Sequence, residues 1–242
     1  MNERCTRVIL ATRDVIDGEL ARLRRGGARP RALLDVGCWD GESTARYGRT
    51  LGVSSMHGVE VFAAQARAAR ARGIEVAECD LETQPLPWGD GTMDVVVVNQ
   101  VFEHLKNVWL PMSEVARLLA PGGHLVFSVP NLASLHNRVM LAGGMQPSSI
   151  RTFGPHVRGF TYRQTRAFLE YGGYLEVVRA VGVGFYPLPL RLGNLVARAW
   201  TGASHTPVLV ARRRAPLGAR PPWLDRVEGE QTWYAPPEVA AE

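Results

Sequence analysis

The sequence has few cysteines, a single lysine and no long apolar run. Its 242 residues contain three scattered cysteines, Cys5, Cys38 and Cys79, which form no CxxC pair. Neither a disulfide framework nor a zinc site is expected, and the sequence indicates no metal site. No apolar stretch reaches the roughly 18 to 20 residues of a membrane span, and the N-terminus shows no signal-peptide pattern, so we expect a cytoplasmic protein.

The net charge of +5 is carried almost entirely by arginine. The arginines cluster in two places, at Arg22, Arg24, Arg25, Arg29 and Arg31, and again at Arg212, Arg213 and Arg214. Such patches are typical of proteins that bind nucleic acid or anionic membranes. However, no aromatic residues lie between these arginines to stack on bases. We therefore interpret both clusters as solvated surface.

Two common nucleotide-binding motifs are also missing. No G-x-x-x-x-G-K-[ST] segment occurs, which excludes a P-loop. The G-x-G-x-x-G pattern of dinucleotide sites is incomplete, because Trp39 stands between Gly37 and Gly41 where a glycine is required. A large indole there would block a pyrophosphate that pressed against the turn, which argues against a nicotinamide cofactor.

What the sequence does contain is an alternation of strand and helix patterns. A helix is predicted over residues 6–24, and strands are predicted over residues 32–36, 56–61, 74–79, 93–98 and 124–130, with helical segments between them. Repeated βα units of this kind predict an α/β fold, with a parallel sheet and helices on both of its faces.

The length favours one domain, which we place at residues 1–214. Two inserts, residues 131–160 and 185–206, interrupt the alternation, and connections of this length often cover a substrate. Residues 215–242 are rich in proline and charge, and we expect this C-terminal tail to be loosely ordered.

Glycines and polar side chains lie where the first four strands end. They are Asp35, Gly37 and Gly41 for the first strand, Glu60 for the second, Asp80 and Leu81 for the third, and Asn99 and Gln100 for the fourth. Because the carboxyl ends of parallel strands share one edge, these residues should converge.

Glu60 can accept hydrogen bonds from both hydroxyls of a ribose, and Asp80 can accept from an adenine amine while Leu81 covers the ring. A helix start after the glycines offers free N–H groups to a carboxylate. The pattern predicts a ligand with adenosine at one end and a small amino acid at the other.

Five segments carry a resemblance to a known family: LLDVGCWDGEST, GVEV, CDLE, MDVVVVNQVFEHL and LLAPGGHLVFSVPN. In this order they resemble the class I S-adenosylmethionine-dependent methyltransferases. SVPNLASLHNRVMLAGGMQP and HVRGFTYRQTRAFLEYGGY resemble a subgroup with MetW-like proteins and small-molecule O-methyltransferases. The resemblance implies a Rossmann-like, doubly wound, seven-stranded and mostly parallel sheet with an antiparallel last strand. It also implies S-adenosylmethionine as cofactor, with Val61 joining the residues at the strand ends.

Trp39 departs from this family, which usually has glycine at that place. Its indole would either block the loop or pack over the methionyl arm of the cofactor.

Two histidines are candidate catalytic residues. Methyl transfer from a sulfonium requires alignment, and a hydroxyl acceptor also needs a base, a task for which histidine suits neutral pH. His104 follows the fourth strand, close to where the family places the methyl group, and His156 lies near the end of the first insert. His104 can alternatively orient its loop, and His156 can order the insert. Glu103 is expected to be structural, and Arg158 is a candidate for binding an acidic group of the acceptor.

The inserts are strongly apolar and allow three interpretations. Their side chains can pack as core, they can roof a pocket for an aromatic or aliphatic acceptor, or residues 188–200 can form an amphipathic helix that rests on a membrane.

The function expected from the sequence is methyl transfer from S-adenosylmethionine to a small molecule, at a hydroxyl oxygen of a natural product, sugar or quinone-like compound. We expect a monomer or homodimer. The basic charge leaves an RNA methyltransferase as an alternative, although the fourth strand ends in NQVF and not in the NPPY-like box of adenine methyltransferases. Trp39 motivates another alternative, a non-catalytic regulatory or partner protein with this fold.

Overall fold

The alternating pattern folds into a seven-stranded sheet in the computed structural model, which describes residues 3–229. The strands are β1 (Ala32–Val36), β2 (Ser55–Val59), β3 (Glu75–Ala77), β4 (Met93–Asn99), β5 (Leu119–Ser128), β6 (Leu175–Val183) and β7 (Thr206–Arg213). The helices are α1 (Glu3–Arg25), α2 (Glu42–Leu51), α3 (Ala63–Arg70), α4 (Trp109–Leu118), α5 (Leu135–Ala142), α6 (Tyr162–Leu169), α7 (Leu190–Ala199) and α8 (Leu224–Gly229). Short 3₁₀ turns cover Phe102–His104, Tyr171–Gly173 and Thr201–Ala203.

The sheet has the order β3-β2-β1-β4-β5-β7-β6. β1 pairs in parallel with both β2 and β4, and β7 alone runs antiparallel to its neighbours β5 and β6. This confirms the mostly parallel sheet with an antiparallel last strand. The strand order reverses between β1 and β4, and in sheets of this type ligands bind beyond the carboxyl ends at such a point.

The core lies on both faces of the sheet. Leu34 and Val36 of β1 belong to a buried cluster with residues of α4, whereas Leu33 belongs to one with Ile16 of α1 and Tyr47 of α2. The central strand β4 is buried on both faces, which is why its run of valines lacks the polar alternation of an exposed strand. The arrangement confirms helices on both sides.

Several element boundaries differ from the prediction: β2 ends at Val59 and not at 61, β3 spans Glu75–Ala77 and not 74–79, and β5 ends at Ser128 and not at 130. The first helix spans Glu3–Arg25 and not 6–24. β5 begins at Leu119, although proline and two glycines follow, because Leu119 pairs with Met93 before the register shifts to Val95 and His124. That bulge accommodates the glycines at the start of the strand.

The C-terminal tail is not loosely ordered over residues 215–229. Trp223 is fully buried, and its indole N–H donates to the carbonyl of Phe168 at 3.0 Å. Its ring also packs against Tyr171 and Tyr174. Burying this one large aromatic side chain holds the segment on the domain, so the prediction was wrong for these residues; residues 230–242 lie outside the described range.

The two inserts each contain a helix, α5 in the first and α7 in the second. Asn131 and Phe160 form an isolated parallel bridge that joins the two ends of the first insert. Among residues 3–229, no helix is both long enough and apolar enough to cross a membrane.

Candidate active site

The loop between β1 and α2 is packed tightly against its neighbours. Gly37 and Gly41 have left-handed φ angles of 75° and 79°. A Cβ on Gly37 would lie 2.6 Å from a methyl of Val101, and one on Gly41 would lie 2.5 Å from the Cδ1 of Ile74. The protein's own packing therefore requires glycine at both positions. Two hydrogen bonds connect the loop to β2: the N–H groups of Gly37 and Cys38 both donate to the carbonyl oxygen of Val59.

Glu60 is fixed at the tip of β2 by backbone hydrogen bonds. Its Oε2 accepts from the N–H of Trp39 at 3.0 Å, and its Oε1 accepts from the N–H of Phe62 at 2.9 Å. The residue is buried. A carboxylate oxygen has room for more than one donor, so Glu60 can still accept hydrogen bonds from a ligand.

Trp39 lies at the rim of this loop. Its φ of 51° is unusual for a residue other than glycine. The indole is 50% exposed and makes an edge-to-face contact with Phe62, with a ring-centroid distance of 6.0 Å. Of the two expectations, packing beside the cofactor agrees better with this half-exposed position than blocking does.

Asp35 is buried under the start of α2. Its Oδ2 accepts a hydrogen bond from the Thr44 hydroxyl at 2.5 Å. Burial raises the pKa of the Asp35 carboxyl to about 7, while the Thr44 hydrogen bond and the charge of Arg13 act in the opposite direction. The side chain thus anchors the first turn of α2, and direct contact with a cofactor stays a prediction.

The residues that follow β2 and β3 are more open. Asp80 is exposed, and its Oδ1 accepts from the N–H of Glu82 at 2.9 Å, which leaves its other oxygen available. Leu81 is partly buried against the core, and Val61 is largely exposed. These positions agree with the prediction that Asp80 makes a polar contact to the ligand while Leu81 and Val61 provide apolar surface beside it.

Asn99 and Gln100 end β4. The Oδ1 of Asn99 accepts from the Ser128 hydroxyl at 2.6 Å. Gln100 has a left-handed φ of 59°, and its Nε2 is buried with no hydrogen-bond partner among the described residues. A buried amide donor without a partner is costly, and a polar group of a bound molecule would satisfy it. Together with Glu60 and Asp80, this donor makes the edge a fit for S-adenosylmethionine.

A second group of polar side chains lies directly beyond β4. Glu103 and His104 sit in the 3₁₀ turn, and His156 comes from the first insert. The His104 and His156 rings meet edge to face, with centroids 4.8 Å apart. One ligand atom from each of the three residues lies within 4.8 Å of the others. The structure thus brings together both predicted catalytic histidines.

Glu103 is the functional candidate that sequence reasoning set aside. Both its carboxylate oxygens are buried and have no hydrogen-bond partner among the described residues. Burial raises the pKa of this carboxyl to about 8, and burial also lowers the pKa of His104. The acid–histidine pair straight after the ligand-binding strand was a usable signal. Glu103 and His104 form a cluster only together with His156, which is distant in the sequence.

Many apolar side chains of the inserts stay outside the core. Those largely exposed are Val139, Leu141, Met145, Leu188, Leu192, Leu195 and Trp200. The interpretation that they pack as core is therefore wrong for these residues, and they form an apolar surface on α5, α7 and the adjoining loops.

Comparisons with known proteins find a methyltransferase domain in the chain. Residues 34–127 match the family model described as a methyltransferase domain. A probable S-adenosylmethionine-dependent methyltransferase of Mycolicibacterium smegmatis is 31% identical over 179 residues, which cover 70% of this chain and 63% of that protein. The ubiquinone biosynthesis O-methyltransferase of Alkalilimnicola ehrlichii is 32% identical over 114 residues, 44% of each chain. The chain thus spans less than two thirds of the length of these relatives.

The fold also matches solved structures. The N-methyltransferase NodS of Bradyrhizobium japonicum, solved with S-adenosyl-L-homocysteine, has a TM-score of 0.56 at 18% identity, with 84% of this chain and 87% of that chain covered. At this identity the likeness concerns the fold alone. Together, the matched methyltransferase domain over residues 34–127 and the strand order give the chain the fold of the class I S-adenosylmethionine-dependent methyltransferases.

Proposed function

We propose that the protein transfers a methyl group from S-adenosylmethionine to a hydroxyl oxygen of a small molecule. The observation that carries this proposal is the adjacency of two groups at one sheet edge. Gln100, whose Nε2 has no hydrogen-bond partner among residues 3–229, directly follows β4, and Glu103 and His104 come within one further turn. A cofactor held at the strand ends would therefore lie beside the acid–histidine cluster.

In this proposal the strand ends bind the cofactor and the cluster prepares the acceptor. Glu60 accepts hydrogen bonds from the ribose hydroxyls, and Asp80 accepts from the adenine amine, with Leu81 and Val61 flanking the ring. Bound S-adenosylmethionine supplies a methyl group on a positively charged sulfur, which needs no further activation. His104 and His156 hold the acceptor hydroxyl and promote loss of its proton.

The apolar insert surface favours an aromatic or aliphatic acceptor. Leu141 and Met145 of the first insert, and Leu188 of the second, expose apolar side chains that a natural product or quinone-like compound can contact. Arg158 is a candidate for an acidic group of such an acceptor. The relative from Alkalilimnicola ehrlichii, named for ubiquinone biosynthesis, supports an O-directed reaction on an apolar compound.

Membrane contact through residues 188–200 is a second, compatible proposal. Leu192, Leu195 and Trp200 are exposed, and Arg191 and Arg198 lie on the same helix segment. Sedimentation with anionic vesicles tests it: a Leu192→Ser/Leu195→Ser variant should lose binding that the wild type shows. Equal sedimentation of the two proteins would contradict it.

The basic residues give less support to an RNA acceptor. Arg22, Arg25, Arg29 and Arg212 line a cleft of about 880 Å³ that also contains the amino ends of β4 and β5. That cleft lies at the opposite edge of the sheet from Glu60 and Gln100, so RNA bound there would not reach the methyl donor. A salt-dependent RNA affinity would favour this alternative, whereas binding only at very low salt would remove it.

Calorimetry and a methylation assay test the proposal. The first experiment titrates S-adenosylmethionine into the full chain, and absence of binding would leave the non-catalytic alternative. The second incubates the protein with methyl-labelled donor and with phenolic, sugar, amine and RNA acceptors, and mass spectrometry detects the labelled product. Label on nitrogen or on RNA, with none on hydroxyl compounds, would contradict the proposed acceptor.

A further inference from the structure

The cluster of Glu103, His104 and His156 has the donor set of a metal site. Two neutral imidazole nitrogens and a carboxylate bind zinc in catalytic sites that keep an open position, and they also suit other divalent transition metals. The potential ligand atoms of these three residues all lie within 4.8 Å of one another. Small rotations of the side chains would bring them to the separations found around a single cation.

Both histidine rings have their Nδ1 atoms at backbone carbonyl oxygens. The Nδ1 of His104 lies 3.2 Å from the carbonyl oxygen of Pro155, and the Nδ1 of His156 lies 2.8 Å from that of Ser149. A carbonyl oxygen can only accept, so each Nδ1 carries the hydrogen and each neutral ring has its lone pair on Nε2. Metal-bound histidines are oriented in this manner, with the second nitrogen donating to a carbonyl or carboxylate.

The carboxylate of Glu103 is buried without a partner in the described part of the chain. The residue is 1% exposed, and neither carboxylate oxygen has a hydrogen-bond partner among the described residues. A buried carboxylate normally pairs with a cation or coordinates a metal. Of the cluster, Glu103 is the member whose position is hardest to explain without a ligand.

The backbone holds the two parts of the cluster together. The carbonyl oxygen of Glu103 accepts from the N–H groups of Val157 at 2.9 Å and Arg158 at 3.1 Å. The insert that carries His156 is therefore fastened to the turn that carries Glu103. A site made from two distant segments gains rigidity from such bonds.

We propose that Glu103, His104 and His156 bind one divalent transition-metal cation, with zinc the best match, at the acceptor side of the cofactor edge. The inference rests on the proposed methyl transfer to a hydroxyl. A cation there would bind the acceptor oxygen and lower the pKa of its hydroxyl, as bound zinc does for water, so that His104 and His156 would act as ligands of the cation and not as the base. The hydroxyl proton passes to solvent water, an oxygen electron pair forms the new C–O bond, and the pair of the broken C–S bond stays on sulfur.

The main competitor is Arg158. Its Nε is also buried without a hydrogen-bond partner among the described residues, while its Nη2 donates to the carbonyl of Lys106. If the Arg158 guanidinium paired with Glu103, it would neutralise the carboxylate, and a cation would then have no carboxylate ligand. The two possibilities predict opposite results in a metal titration.

The test uses the full chain, stripped with a chelator and then dialysed. Cobalt(II) chloride is titrated while visible absorption and heat are recorded, and zinc chloride is then added. We expect one cobalt ion per chain, with absorption bands typical of low coordination number, and displacement of cobalt by zinc. Glu103→Gln and His156→Ala should each weaken cobalt binding by at least about tenfold.

The matched control is His57→Ala. His57 is another histidine beside a carboxylate, with its Nδ1 3.3 Å from Oε2 of Glu75. This variant should bind cobalt like the wild type. No stoichiometric binding, or equal weakening in the control, would overturn the proposal. Circular dichroism establishes folding first, and if Glu103→Gln does not fold, the decision rests on His156→Ala and His156→Gln.

Methylation assays separate this inference from the proposed function. If the cluster variants lose cobalt binding but the wild type methylates no hydroxyl acceptor, the metal site is retained and the proposed function is overturned. Equal transfer by chelator-treated and zinc-loaded protein would retain the function and overturn the role of the cation.

Discussion

The backbone N–H of Trp39 donates a 3.0 Å hydrogen bond to Oε2 of Glu60, and so joins the loop after β1 to the tip of β2. The N–H of Phe62 donates to the other oxygen of the same carboxylate. Glu60 therefore shapes the loop as well as offering a carboxylate to a ligand. Trp39, which departs from the family pattern, is thus held by Glu60, the residue expected to bind the ribose.

Glu60→Gln should weaken binding of S-adenosylmethionine by about 10- to 100-fold. An amide offers one oxygen, so its NH₂ group would face the N–H of either Trp39 or Phe62, and a charge-assisted hydrogen bond to the ligand, worth about 1.5–3 kcal/mol, would be lost. Isothermal titration calorimetry measures the change. The control is Glu176→Gln, because Glu176 is a partly exposed acid of β6 that pairs with Arg214. Equal affinities in both variants would show that Glu60 does not bind the cofactor.

Trp39→Gly should be more stable than Trp39→Ala by about 1 kcal/mol, because the φ of 51° is strained for any residue with a Cβ. Urea denaturation of the two variants measures this difference without the contribution of the indole. We also expect no gain in S-adenosylmethionine affinity in Trp39→Gly, since the indole lies at the rim against Phe62. A marked gain would mean that the indole blocks the site.

Local patterns were sufficient for much of the fold. β1 occurs at the predicted residues 32–36, because a short apolar run followed by a glycine turn fixes the end of the strand locally. The start of β5 was missed, since it depends on pairing between Leu119 and Met93, which no local pattern encodes. The convergence of the strand ends followed from the general topology of parallel sheets and not from any one motif.

The acceptor side was harder to predict. His104 and His156 were candidates from their places beside β4 and the insert, but their ring contact depends on how the insert folds back. The burial of Glu103 depends on the same docking, through its bonds to Val157 and Arg158. Sequence alone gives no measure of such burial, so an unpartnered carboxylate looked structural.

Trp223→Ala should lower the free energy of unfolding by about 3–5 kcal/mol. The fully buried indole packs among Phe168, Tyr171 and Tyr174, so truncation leaves a large cavity and loses the bond to the Phe168 carbonyl. Trp200→Ala is the matched control: this tryptophan is half-exposed and should cost less than about 1.5 kcal/mol. Equal effects in urea denaturation would contradict the packing of residues 215–229.

Asp35→Asn should change how stability depends on pH. In the folded protein the pKa of Asp35 is raised from 3.8 to about 7 by burial. Between these values the folded state binds more protons than the unfolded state, so this carboxyl makes stability fall as pH rises from about 4 to about 7. Below about pH 4 the carboxyl is protonated in both the folded and the unfolded state, and its contribution to stability is complete. Above about pH 7 it is ionised in both states, and the loss of stability no longer changes with pH.

Asparagine at position 35 has no such titration, and its amide oxygen can still accept from the Thr44 hydroxyl. The stability of Asp35→Asn relative to the wild type should therefore rise by up to about 4 kcal/mol between pH 4 and pH 7 and then stay level. Urea denaturation of both proteins at steps of half a pH unit measures the difference in unfolding free energy. Taking the difference removes the contribution of the groups that titrate in both proteins. Asp40→Asn, at a partly exposed acid of the same loop, should follow the wild type. Parallel curves for wild type and Asp35→Asn would mean that the buried carboxyl stays ionised across this range, with Arg13 as its counter-charge.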